Sequence, residues 1–436
     1  MTTRAEVAHR RRSCHDCRSS MAADVRLAAL TIGVAAATWP EAHCPKRGHD
    51  TRAANLRSIA SRDGSPIDGL TREPLHYTSF RQYDIIACRR AGDQFARTNR
   101  AMTTIVVLSP IPASVVFQWL VAGTGRADLS VVGVEGTSPS QLDEALAEAE
   151  IVLGDYTFRH AITEEFLDRA PRLRFIQQPS AGYEHIDVKA CRRRGIAVAH
   201  TPGVNDVAVA EHTVMLALAL LKKAFYAHRR MAEGAWVQRE LIWERGLFEL
   251  QGKTYGIVGM GRIGRQLARR LIAFGTRTLY TDPVRLSESE ERELHVEYKS
   301  LDDLLRRSDV VSLHVPLTEK TRKLIGEREL SLMKFSAILI NVARGECVDE
   351  VALAKRLREK KLAGAGIDVF SVEPLPADHP LRGLENVILT PHIAGATAEV
   401  RERVVHIAVD NMVRVLKGEQ PLHLVPGEDG REGAKE

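Results

Sequence analysis

The chain has 436 residues, long enough for two domains of ordinary size with about a hundred residues to spare. Its formal charge of +5 is unevenly spread: residues 1–101 hold 17 Lys+Arg against 10 Asp+Glu, leaving 44 against 46 for the rest. The larger part is thus nearly neutral and lacks the basic footprint that binding nucleic acid requires.

Residues 1–101 read as an extension without regular structure. Arginine dominates lysine, no helical or strand period is sustained, and Pro, Gly, Ser and His are scattered through HCPKRGHD and SRDGSPIDGLTREP. The apolar run Leu27 to Thr38 is too short to span a bilayer, and Glu6, Asp16 and Asp24 argue against a signal or transit peptide. Cys14, His15, Cys17, His43, Cys44 and His49 are spaced too irregularly for a four-ligand metal site, so no metal is expected. Met102, just before the first regular strand, reads as an alternative start of the chain. Cys88, Cys191 and Cys347 stand alone, which implies no disulfide framework and fits a reducing cytoplasm.

From Met102 short apolar runs alternate with helical stretches. Ile105 to Leu108, Leu129 to Val132, Ile151 to Leu153, Phe175 to Gln177 and Ile196 to Ala199 are predicted strands. Gln141 to Ala149 and Thr163 to Ala170 are predicted helices. This alternation predicts a parallel sheet with helices on both faces. The first domain ends near Gly203, and Asn205 is placed to cap the long apolar helix VAVAEHTVMLALALLKKA that leads into the second.

The most informative stretch is Lys253 to Asp282. An apolar strand, Tyr255 to Val258, meets Gly259, Gly261 and Gly264 in the spacing G-x-G-x-x-G, and a helical pattern follows. Gly259 permits the tight turn, Gly261 lets the backbone approach a pyrophosphate, and Gly264 lets helix and strand pack closely. Ile263, Leu267, Leu271 and Phe274 give that helix one apolar face. A second strand ends in Asp282, where a carboxylate accepts hydrogen bonds from the adenosine ribose and repels a 2′-phosphate. NAD is therefore expected over NADP, a preference that Arg285 would soften.

Beyond Asp282 the strands continue as Val310 to Val315, Ala337 to Asn341, Gly364 to Asp368 and Val387 to Leu389. Polar residues collect just past their C-terminal ends: His314 with Pro316, Arg344, Asp368 with Glu373, and His392. Ligands of open α/β sheets bind outside those ends, so these positions are expected to share one cleft. Thr397 to Leu416 reads as a helix, after which QPLHLV returns as an extended segment to the first domain, ahead of a short polar tail.

Several segments together resemble the D-isomer-specific 2-hydroxyacid dehydrogenase family, which includes glyoxylate/hydroxypyruvate reductases and phosphoglycerate dehydrogenases. They are SAGYEHID, HTPGVNDVAVAEH, GIVGMGRIG, HVPLTEKT, NVARGECVDE, GAGIDVFSVEP and PHIAG, and the resemblance covers residues 102 to about 424. It implies two doubly wound parallel-sheet domains. One is a Rossmann NAD-binding domain over 205–395, and the other a discontinuous flavodoxin-like substrate domain over 102–204 and 396–424. Residues 1–101 and 425–436 lie outside both.

The same resemblance implies the roles. Reducing a 2-oxo acid needs a cation for its carboxylate, a hydride donor and an acid for the developing alkoxide. Arg344 matches the family's carboxylate-binding Arg, His392 the acid/base, and Glu373 the partner that favours the charged imidazole. Related formate dehydrogenases carry Gln in place of that Glu, so Glu373 points to proton-coupled hydride transfer. Cofactor contacts are implied for Gly259, Gly261, Arg262, Ile263, Gly264, Asp282, His314, Pro316, Thr321, Ala343, Asp368 and Gly395, with Asp368 facing the nicotinamide carboxamide. For His314 a spacer whose backbone alone matters is an equal reading. Ala181, Gly182 and Tyr183 are expected to present backbone N–H groups to the substrate carboxylate. Tyr183 resembles the glyoxylate/hydroxypyruvate branch, and no basic cluster near it argues for a phosphorylated substrate.

The expected protein is an NAD-dependent dehydrogenase of a small 2-hydroxy or 2-oxo acid, with no metal, nucleic-acid or membrane partner, and by family likeness a homodimer. The competing reading is an NAD(H)-responsive partner-binding protein like the related C-terminal-binding corepressors, which keep the same three side chains. Too little chain follows the last helix for a regulatory domain.

Overall fold

A computed structural model describes residues 102–426. The readings made for residues 1–101, and for the tail from 427, fall outside them.

Twelve strands form two parallel sheets. The first, in spatial order β2-β1-β3-β4-β5, comprises β1 (Thr103–Val107), β2 (Leu129–Gly133), β3 (Ala149–Leu153), β4 (Phe175–Gln177) and β5 (Ala197–Ala199). The second, in order β12-β11-β10-β9-β6-β7-β8, comprises β6 (Thr254–Val258), β7 (Arg277–Thr281), β8 (Val296–Tyr298), β9 (Val310–Leu313), β10 (Ile338–Asn341), β11 (Gly364–Ile367) and β12 (Val387–Leu389). All neighbouring strands run parallel, as in the register Tyr255↔Val310 and Val258↔Leu313 across the centre of the second sheet. The first order is the flavodoxin-like one. The second is the dinucleotide-binding order with one strand added at an edge.

The inner strands β1, β3, β4, β9, β10 and β11 are apolar because they are covered on both faces. Ile105, Val107, Ile151 and Phe175 pack under the C-terminal helix Ala398–Lys417, which supplies Ala408, Met412 and Leu416 to their core. That helix is capped by the Thr397 side chain, which accepts from Val400 N–H, and ends at left-handed Gly418. Its buried Asn411 donates to Gln177 Oε1 at 2.8 Å and accepts from Leu422 N–H at 2.7 Å, turning the chain back toward β5. Val425 N–H then donates to Val198 O and His200 N–H to His423 O, so QPLHLV returns as predicted.

The long apolar helix is Asp206–Leu221 and lies on the second sheet, where Val209, Leu216 and Leu221 share a core with Tyr255, Leu267 and Leu271. Asn205 stands at its N-cap position, but its side chain makes no capping bond; it rests against Gly395 instead. Strand β8 was not anticipated, because VEY offers only three residues, one of them charged, between His295 and Lys299. No helix among the described residues is long and apolar enough to cross a membrane.

Candidate active site

The glycine turn carries the clearest local logic. Gly259 has φ +97°, and a Cβ there would lie 2.6 Å from His314 O; a Cβ on Gly264 would strike Gly259 O. Only glycine satisfies both positions. Above Gly261, by contrast, space is open, and the helix Arg262–Ala273 starts there without a side-chain cap, so its first N–H groups are free for an anion. At the tip of β7, Asp282 Oδ2 accepts from Met260 N–H at 2.8 Å and Oδ1 from Val284 N–H at 2.9 Å, which ties the acid to the turn. Arg285 is engaged elsewhere, by both oxygens of Glu291 at 2.9 and 3.1 Å. The open turn and the half-buried acid fit a dinucleotide. Arg262 reaches toward the interdomain Gly203, while Ile263 packs into the core.

Past β9 the His314 ring turns inward. Nε2 meets Ser312 Oγ at 2.8 Å, Nδ1 is buried without a partner among the described residues, and desolvation pushes the imidazole down to about 3. It is neutral, unsuited to proton transfer, and contributes its carbonyl against Gly259. Pro316 is exposed, and Thr321 Oγ1 donates to its carbonyl at 2.6 Å, closing the loop that follows.

Arg344 follows β10 in a turn held by buried Asn341, whose amide donates to Arg344 O at 2.8 Å and accepts from Ala343 N–H at 3.1 Å. Its guanidinium reaches across to the loop after β4, where Nε and Nη2 lie 3.1 and 2.9 Å from Glu184 Oε1 and Nη2 packs against Gly182. In that loop the carbonyls are occupied, Ala181 O by His200 Nδ1 at 2.9 Å and Gly182 O by Ser180 Oγ at 2.7 Å. The N–H groups of Ala181, Gly182 and Tyr183 have no acceptor among the described residues. The Tyr183 ring packs edge-on to His200 at 5.1 Å.

His392 Nδ1 and Glu373 Oε2 meet at 2.8 Å across nineteen residues of chain, with side chains 34% and 36% exposed. Burial acts to raise the Glu373 carboxyl, but the bonds from His392 and from Phe370 N–H more than offset it and hold it below its usual range. His392 Nε2 has no protein partner among the described residues. The residue has φ +55°, an uncommon conformation for a side-chain-bearing residue, so its loop must be restrained.

Asp368 supplies that restraint. It is 0% exposed; its carbonyl accepts from His392 N–H at 2.8 Å, and its carboxylate accepts from Ile393 and Ala394 N–H at 2.9 Å each. Thr390 Oγ1 donates its one proton to Asp368 Oδ1 at 2.5 Å, so His212 Nε2, 3.1 Å from the same hydroxyl, must be the donor there. The chain His212, Thr390, Asp368 links the interdomain helix to the His392 loop. Sequence reading assigned Asp368 to the cofactor and missed this anchoring task; the only available signal was a carboxylate at a strand end.

Phe158 was also missed. It comes from the first domain with φ +59°, its ring lies 6.3 Å from the His392 ring at 9° between planes, and its edge approaches Gly182. Phe158 therefore stands between His392 and the 181–184 loop, which Arg344 reaches from the second sheet. Among the described residues no cluster is placed to hold a metal ion.

Comparison with known proteins shows the family. A family model described as D-isomer specific 2-hydroxyacid dehydrogenase, NAD binding domain, matches residues 214–394. A glyoxylate reductase of Korarchaeum cryptofilum (strain OPF8) is 46% identical over 267 residues, 61% of this chain and 79% of that protein. One from Thermofilum pendens (strain DSM 2475 / Hrk 5) is 47% identical over 267 residues, 61% and 78% of the two chains. A solved D-lactate dehydrogenase from Aquifex aeolicus, complexed with NAD and lactic acid, is similar with a TM-score of 0.64 at 32% identity, covering 74% of this chain and 99% of that one.

Proposed function

This chain belongs to the D-isomer specific 2-hydroxyacid dehydrogenase family and is an NAD-dependent oxidoreductase of small 2-hydroxy or 2-oxo acids, and we propose that its reaction is the reduction of glyoxylate or a 2-oxo acid of similar size. The observation that carries this reading is the convergence of Arg344 and the 181–184 loop, with its three unengaged amides, on the side where Phe158 meets the His392–Glu373 pair. A ring lying between His392 and Gly182 supports a short acid over a long one.

The turn Gly259–Gly264 with Asp282 would hold NAD(H), with Pro316, Thr321, Ala343 and Gly395 beside it, and the bound cofactor would supply or accept the hydride. The chain's own residues do the rest. Arg344 and the amides of Ala181, Gly182 and Tyr183 bind the carboxylate, which aims the neighbouring carbonyl at His392. His392 Nε2 gives its proton to the carbonyl oxygen as charge develops there, and Glu373 stabilises the imidazolium that precedes this transfer. We take 102–204 with 396–424 as the substrate domain and 205–395 as the cofactor domain, a division supported by the two sheets and by the return of the last helix to the first.

We further propose a homodimer in the cytoplasm. Between the interdomain helix and β6 the chain exposes Trp236 (76%), Trp243 (79%), Ile242 and Phe248, large apolar side chains close together in sequence that support a face covered by a second copy. The buried, unpaired thiols of Cys191 and Cys347 suit a reducing compartment.

The test is NADH oxidation with glyoxylate, hydroxypyruvate, pyruvate and longer 2-oxo acids, using His392→Ala as control. The variant is expected to bind NADH normally and lose about two to four orders of magnitude in kcat, the usual contribution of a positioned acid. NADH binding without turnover of any acid by the native protein would instead support the partner-binding reading.

A further inference from the structure

Arg344 is the one side chain in this site whose donors can be counted to the end. A guanidinium has five N–H groups. Nε donates to Glu184 Oε1 at 3.1 Å, and Nη2 lies 2.9 Å from the same oxygen as an ion pair, which places Glu184 on the side edge of the guanidinium. One N–H of Nη1 goes to Ala343 O at 2.7 Å. Three N–H groups remain, one on Nη1 and two on Nη2, and these terminal nitrogens are the pair that a carboxylate accepts from in bidentate fashion.

We infer that Glu184 is a positioning residue: its carboxylate holds Arg344 side-on, so that the terminal N–H groups face the substrate. The inference rests on the function proposed above and adds a residue to it. Glu184 and Arg344 are 160 positions apart and hang from different sheets, Glu184 beyond β4 and Arg344 beyond β10. The pair therefore spans the cleft, and the orientation of the guanidinium depends on where the substrate domain stands. Glu184 Oε2 also lies against Gly182, in the loop whose amides meet the same substrate carboxylate. A displaced Glu184 thus loosens the Arg and the loop together. The alternative physical role, a built-in competitor that occupies the substrate's place on Arg344, would require the terminal edge to be the one engaged; the distances put the engagement on the other edge.

Glu184→Ala and Glu184→Gln separate these roles. A Gln amide oxygen still accepts from Nε, whereas Ala leaves that edge without a partner. Glu184→Ala is expected to lower kcat/KM for glyoxylate about 10- to 100-fold, the worth of a hydrogen bond to a charged group, and to weaken inhibition by oxalate by a similar factor. Glu184→Gln should recover most of both, and NADH affinity measured by fluorescence should be unchanged in each variant, since a general structural defect would lower it. Two results overturn the inference: both variants matching the native enzyme, or both showing a lowered KM at native kcat, the signature of a removed competitor. Failure of the native protein itself to reduce any 2-oxo acid would be a failure of the proposed function instead.

Discussion

Replacing Glu373 by Gln tests the proton half of the reaction while keeping the shape of the site. The native contact is a 2.8 Å bond from His392 Nδ1 to Glu373 Oε2, and the other carboxylate oxygen is fixed by Phe370 N–H at 2.9 Å. Glutamine can keep one of these bonds but carries no charge to stabilise an imidazolium. A charge-assisted hydrogen bond is worth about 1.5–3 kcal/mol, and with both side chains one-third exposed solvent screening favours the lower end, about 1.5–2 kcal/mol. At about 1.4 kcal/mol per factor of ten, losing this stabilisation of the charged pair should lower kcat/KM for reduction about 10- to 30-fold. Burial acts to raise the Glu373 carboxyl, but the bonds from His392 and Phe370 N–H hold it below its usual range, so it keeps its charge as pH falls through the range where an ordinary Glu is protonated. The assay is kcat/KM for NADH-driven glyoxylate reduction between pH 5 and pH 9 in both proteins. Equal kcat/KM in the two proteins across that range would refute the assignment of Glu373 as the partner that supports proton transfer by His392.

Two further outcomes follow from other parts of the molecule. His314 is held near a pKa of about 3 in the fold against an ordinary value of 6.5, so the unfolded chain gains a proton that the native one refuses. Its contribution is complete above about pH 6.5 and declines by at most about 1.4 kcal/mol per unit as pH falls toward 3. Urea melts at pH 7 and pH 5 should therefore show a smaller loss for His314→Gln than for the native protein, and equal losses would contradict the burial argument. Trp243→Glu places a charge on the exposed apolar segment; sedimentation should show a dimer for the native chain and a monomer for the variant, and a native monomer would remove the proposed interface.

What the sequence discloses about this protein depends on the range over which each residue acts. The glycine turn, Asp282 and the strand tips were legible because their constraints are local. A φ of +97° at Gly259 and the contact of Gly264 with Gly259 O arise within six residues, and such constraints leave a spacing that can be read. The strands of both sheets were legible for a related reason, since a strand covered on two faces shows a continuous apolar run, and the one missed, β8, is a three-residue edge strand. Asn205 failed as a cap because its side chain is taken up by the close approach to Gly395, a contact made over 190 positions of chain.

The residues that reading overlooked share a different property: each completes its task on a partner from another element. Phe158 and Glu184 belong to the first sheet's loops yet touch His392 and Arg344, which belong to the second. Alone, an aromatic in a polar loop and a Glu beside a His carry no pattern, because neither alters the local backbone in a way that demands a neighbour. Asp368 differs only in degree: the spacing revealed a carboxylate at a strand end, but not that buried donors from Thr390, Ile393 and Ala394 converge on it. That convergence is what stabilises His392 at φ +55° and lets His212 in the interdomain helix reach the same network. The proposed acid/base is thus connected to the interdomain helix on one side and covered by Phe158 on the other. A change in the angle between the domains must therefore move Phe158 and the 181–184 loop relative to His392 and Arg344, and domain closure and assembly of the site become one event rather than two.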